Sequence, residues 1–208
     1  KENYIKIHGS NNKQYGFILS YLAYCYSLIK QFDKAVAYET IALSILKGVL
    51  GEKNASYAAA MFNLADYYSY AGDNNKAIEL CTKAISLFKI VFDKQHPLHG
   101  TSLNNLAEYY FLLGNYAKAI EFGVQAIKIR HDNLGEYHPD YATSLSNLGG
   151  YYFYIGNYTE AISLETKAMS IRQVVFGLNH PNYAKSLNKL ANYYSLLGNY
   201  SIALELGT

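Results

Sequence analysis

Cysteine is scarce in this chain: Cys25 and Cys81 are the only two in 208 residues. Two cysteines make no disulfide framework. Both sit inside apolar helical text, so they read as reduced core residues of a cytoplasmic protein. Charge is thin as well. Charged residues make up 16% and the net charge is +2, without the clustered Lys and Arg of a nucleic-acid or anionic-membrane surface. No apolar run reaches the roughly 18 residues that span a bilayer. No Cys or Ser has a His and an acid at a recognisable spacing, and no Gly-rich phosphate loop follows a strand, so no enzyme activity and no cofactor are expected. What the chain does have is apolar bulk. Hydrophobic residues reach 50%, enough to bury a core and to exclude a disordered chain.

It also has repetition. "HPDYATSLSNLGGYY" at His138 is echoed by "HPLHGTSLNNLAEYY" at His96 and "HPNYAKSLNKLANYY" at His180, always 42 residues apart. Stepping back by the same interval reaches Asn54 and Asn12, where two further copies align without a gap. The units are therefore 12–53, 54–95, 96–137, 138–179 and a shortened 180–208. Residues 1–11 fit the end of a sixth, with Gly9 where Gly51, Gly135 and Gly177 stand, whereas the second unit has Asp93 there. Both ends fall mid-repeat, which predicts a piece of a longer protein built as one solenoid domain. His96, His138 and His180 recur with the period, and a repeat spreads them apart. They read as caps or junctions, not as zinc ligands, which must converge in threes or fours.

Each unit reads as two helices. Leu145, Leu148, Gly149 and Tyr152 fall at i, i+3, i+4 and i+7, one face of a helix. Pro139 suits the first helical turn. Asn12, Asn54, His96, His138 and His180 are the expected N-caps. The first helix ends at Gly-Asn-Tyr (114–116, 156–158, 198–200), with Lys30-Gln31 in place of Gly-Asn in the first unit. Asp33, Asn75, Thr159 and Ser201 are the expected caps of the second helix, with Ala117 the exception. Small residues recur at 23, 65, 107, 149 and 191 on the first helix and at 35, 77, 119, 161 and 203 on the second. They let helix axes approach closely. Beside them stand Tyr26, Tyr68, Tyr110, Tyr152 and Tyr194. Each offers roughly 150–250 Å² that a lone hairpin cannot hide but a stack can.

"LSNLGGYY" through Ala161 resembles the tetratricopeptide repeat, with Leu145 where that family often carries Trp. The period of 42, the "LNNLA" core, the "GNY" turn and the "LG..HP" junction are similar to the kinesin light chain type. The resemblance implies an all-α, right-handed superhelical solenoid of stacked antiparallel hairpins. It also implies that first helices line a concave groove which binds a peptide or protein segment.

With the Leu, small and Tyr positions packed, the opposite face of the first helix is left for a ligand. It carries Thr101, Asn104, Asn105 and Glu108 in one unit and Thr143, Ser146, Asn147 and Gly150 in the next. The following unit brings Lys185, Asn188, Lys189 and Asn192. Asn63, Asn105 and Asn147 share one position, and a ladder of amides can pair with an extended peptide backbone of any sequence. The bland alternative is that they brace adjacent helices. Lys185 and Lys189, four apart, suggest an acidic group in the partner. With Asn105 and Asn147 they resemble part of the carboxylate clamp of chaperone-binding repeats, although Thr101 stands in place of its first Lys. Phe17, Tyr21, Tyr24 and Phe62 form an aromatic patch that would anchor an apolar side chain or pack on a preceding unit. The expected function is a non-enzymatic interaction scaffold without metal, nucleic acid or membrane. The alternative is the regulatory array of a larger effector with a protease or signalling domain elsewhere.

Overall fold

A computed structural model describes residues 12–92 and 97–207. Its described residues form ten α-helices and no strand. They are α1 Lys13–Leu28, α2 Phe32–Leu50, α3 Ala55–Tyr70, α4 Asn74–Val91, α5 Pro97–Leu112, α6 Tyr116–Leu134, α7 Pro139–Tyr154, α8 Tyr158–Phe176, α9 Pro181–Leu196 and α10 Tyr200–Gly207. The odd-numbered first helices are each 16 residues long and begin 42 residues apart. Contacts divide the chain into two compact units, Lys1–Leu113 and Gly114–Thr208. In the first unit α1 packs on α2, α2 on α3, α3 on α4 and α4 on α5. In the second the sequence of neighbours runs from α6 on α7 to α9 on α10. This is the all-α stacking of consecutive hairpins that the repeat requires.

The first-helix caps form as expected. The side chains of Asn12, Asn54, His138 and His180 accept from the backbone N–H of Tyr15, Ser56, Asp140 and Asn182. His96, Asp93 and Gly9 lie outside the described residues. The second-helix caps fall two residues earlier than the sequence suggested. Asp73, Asn115 and Asn157 take the cap, accepting from the N–H of Lys76, Lys118 and Glu160. Gln31 holds the same place without a side-chain bond. The reason is the shortness of the turn. Gly114 and Gly156 take positive φ, at 74° and 82°, and close one helix in a single residue. The next residue already caps the following helix. Asp33, Asn75, Ala117 and Thr159 are thus inside the first turn, and Ala117 is no exception.

Packing explains the small residues and corrects the tyrosine assignment. Ala23, Ala35, Ala65, Ala77, Ala119 and Ala161 are fully buried. Tyr67, in α3, packs on Ala23 and Ala35 of the preceding hairpin. Tyr193, in α9, packs on Ala161 in the same way and stacks on Phe153 at 4.6 Å. Tyr67, Tyr109, Tyr151 and Tyr193, one residue before the expected series, are deeply buried, as are Tyr15, Tyr57 and Tyr141, whereas the expected series is only half-buried. A first helix touches both its own second helix and the one before, so its buried arc is wider than a single stripe. Of the cysteines, Cys81 is buried and Cys25 half-buried, and both are free thiols.

Candidate functional site

Packing leaves one side of each helix in solvent, on first and second helices alike. On α1 the exposed residues Phe17, Tyr21 and Tyr24 follow one another at helical spacing, and Tyr21 is 68% exposed. The Tyr21 and Tyr24 rings stand 6.4 Å apart. Phe62 is not among them. It is 9% exposed and meets Phe88 edge-on at 6.3 Å. Thr101, Asn104 and Glu108 on α5 are half-buried.

The shared Asn position reaches between hairpins. Asn105 Nδ2 donates to Asp66 Oδ1 at 2.9 Å, and the hydroxyl of Tyr109 donates to the same oxygen. Burial raises the pKa of Asp66, while Tyr109 and Asn105 draw it back by favouring the carboxylate. Asn63 assists the Glu39 carboxyl of α2, one hairpin earlier. Lys189 holds the same register and also points back. Its Nζ donates to Ser146 Oγ at 2.8 Å and to the Ser146 carbonyl at 3.3 Å, with Glu165 at 3.8 Å. Asn147 is half-buried on α7. Bracing between neighbouring hairpins is what this position does at 63, 105 and 189.

Asp66 anchors the brace at 105; two fully buried carboxyls, neither singled out by the sequence pattern, anchor those at 63 and 189. Glu39 and Glu165 occupy the same place in their repeats, and each is 0% exposed. Ser20 Oγ donates to Glu39 Oε1 at 3.1 Å, and Ser146 Oγ donates to Glu165 Oε2 at 2.6 Å. Ser146 is itself 2% exposed, so it stands inside the hairpin and not on its ligand face. Beyond this the two sites diverge. Glu165 is met by Arg172 at 3.2 Å and by Lys189, and Arg172 also donates to Ser186 Oγ at 2.6 Å. At the corresponding places around Glu39 stand Leu46 and Asn63. With no cation there, burial lifts the Glu39 pKa to about 7 against hydrogen bonding from Ser20 and Asn63, and Oε2 has no hydrogen-bond partner. The intermediate repeats put Cys81 and Gly123 at this register. A Glu in a column otherwise filled by small, buried residues was the available signal.

In the second unit Lys185, Asn188 and Thr143 are exposed. Thr143 donates to the Pro139 carbonyl of its own helix at 3.0 Å. Lys185 thus remains in solvent, while Lys189, still partly exposed, turns its Nζ back to Ser146. Among the described residues no three His, Cys, Asp or Glu side chains gather as a metal site, and no helix is long and apolar enough to cross a membrane.

In the first unit the C-terminal ends of α1 and α3, with the start of α2, line an open cavity of about 470 Å³. Its walls are Tyr24, Phe32, Tyr67 and Tyr70, with Asn63 and Asp66 between them. The Phe32 and Tyr70 rings are 5.4 Å apart.

Comparison with known proteins agrees with this geometry. Four overlapping stretches, 16–90, 56–132, 100–173 and 140–208, match the tetratricopeptide repeat. No curated protein matches the sequence. Kinesin light chain TPR-like repeats from Podosopora anserina have a similar structure, with a TM-score of 0.80 and 25% identity over 94% of this chain and 92% of that one. BtubC (BKLC) from P. vanneervenii gives 0.83 at 19% identity, over 99% and 82%. A Rap protein complexed with Competence and Sporulation Factor gives 0.75 at 17%, over 92% of this chain and 51% of that one. At these last identities the likeness is one of fold. Matched by the repeat from residue 16 to residue 208, and built of the hairpins that repeat specifies, the chain belongs to the tetratricopeptide repeat family.

Proposed function

We propose that this protein is a non-enzymatic scaffold that holds a peptide or an extended protein segment in a groove lined by the exposed faces of its first helices. The observation that carries this reading is the exposed aromatic series Phe17, Tyr21 and Tyr24 on α1. Large rings left in solvent at one helix face are unfavourable unless something covers them, and aromatic side chains dominate binding energy where they are covered. The Rap structure complexed with Competence and Sporulation Factor lends support by analogy of fold. Lys185 offers a place for an acidic group on the second unit.

The test is a random heptapeptide library passed over the immobilised chain. Retained peptides should bind at least about tenfold more weakly to the Tyr21→Ala/Tyr24→Ala variant, the loss of roughly 1.4 kcal/mol for truncated anchors. Val174→Ala, at an exposed second-helix residue, should leave binding unchanged. Equal binding by both variants, or no retained peptide at all, defeats the proposal.

A further inference from the structure

We infer that the cavity between the C-terminal ends of α1 and α3 receives a basic side chain of the bound polypeptide, arginine above all. This rests on the reading that the first-helix face binds a polypeptide, and it gives that partner a chemistry.

Four aromatic rings and one carboxylate share about 470 Å³. Aromatic faces carry negative potential and attract cations. Both hydrogen bonds to Asp66 end on Oδ1, which leaves Oδ2 as the freer oxygen of a group that lines the cavity. Asn63 adds an amide. Glu108 lies close enough that it and Asp66, after burial itself, raise the pKa of the Tyr70 phenol. Two negative charges therefore act on one ring. The lining contains one cation, Lys30, exposed at the turn between α1 and α2. Asp66 and Lys30 thus share the lining, the carboxylate half-buried between the rings and the ammonium in solvent.

That combination sorts ligands. An acidic side chain would meet Asp66 and the ring faces with like polarity. An aliphatic one would desolvate Asp66 and offer it no donor, which is costly for a partly buried carboxylate. A guanidinium satisfies every wall at once. Its plane stacks on a tyrosine face, and its fork of donors reaches a carboxylate and an amide oxygen. An ammonium satisfies the charge but not the stacking, so lysine ranks second.

The experiment uses the same random heptapeptide library on the intact chain, with retained peptides sequenced. Arginine should be enriched at one position by about tenfold over glutamate and over leucine, with lysine between. Asp66→Asn and Tyr70→Ala should each bring that enrichment close to one. Asp66 also braces α5, so melting of the Asp66→Asn variant is checked by circular dichroism. Tyr70 is exposed, and its variant reads the cavity without that complication. Peptides retained without basic enrichment overturn this inference and leave the scaffold reading standing. Unchanged enrichment in a folded Tyr70→Ala variant also overturns it. If nothing is retained, both fall.

Discussion

A single carboxyl shows how much one residue's surroundings decide. Glu39 and Glu165 share a register, a seryl donor and complete burial. Arg172 and Lys189 balance one, and nothing cationic balances the other. The sign of the effect on stability follows. In the unfolded chain Glu39 loses its proton near pH 4.3, and in the folded chain near pH 7. Between those values the folded state holds a proton that the unfolded state lacks. The contribution is full below the unfolded value and is lost as pH rises through 7, by at most about 4 kcal/mol. Ser20 and Asn63 face this carboxyl, and Tyr67 feels its charge. Glu39→Gln keeps the shape and removes the titration. The variant should match the parent near pH 4 and exceed it by about 1–3 kcal/mol at pH 8, measured by urea unfolding at both values. An equal difference at the two pH values would mean that Glu39 is not held protonated.

At the scale of the element, the turns and the crossings carry the weight. Four of the five turns within hairpins place glycine at positive φ, at residues 72, 114, 156 and 198. The first turn places Lys30 there at φ 58°, in a region that disfavours a side chain. Lys30→Gly should raise stability by about 1 kcal/mol, seen as a higher melting temperature. No rise would show the turn to be relaxed as it stands. The α7–α8 crossing is tighter. A Cβ on Gly149 would lie 3.1 Å from the Ala161 carbonyl oxygen and 3.5 Å from Leu164 Cβ. Gly149→Leu should destabilise by about 1–3 kcal/mol or more, because the backbone oxygen cannot move aside without shifting the helix. A tolerated leucine would mean that these helices do not cross as described.

At the scale of the molecule, each helix rests chiefly on its neighbours in the chain. Stability in such an array is close to a sum of local terms. The Gly149→Leu lesion should therefore accelerate amide hydrogen exchange first in α6, α7 and α8. Uniform loss of protection along both units would contradict local packing. Surface chemistry varies in the same way. The first unit presents exposed aromatic rings and a cavity lined by rings with Asp66 and Lys30, and the second presents Lys185 in solvent near the Glu165 ion cluster.

The sequence alone determined the hairpins, their period, the first-helix caps and the small residues at each crossing. Those follow from spacing along one helix and from the chemistry of Gly, Pro and Asn, which act within a few residues of themselves. Only the tertiary structure decided where the polar side chains went. Asn63, Asn105 and Lys189 occupy one register, yet each finds its partner in the preceding hairpin, on whatever carboxyl that hairpin supplies. Ser146 and Phe62 turn inward because Glu165 and Phe88 await them there, and Tyr67 is buried because Ala23 and Ala35 leave room. A partner some 20 to 45 residues away is set by packing volume and charge, and the periodicity of a single helix holds no record of it.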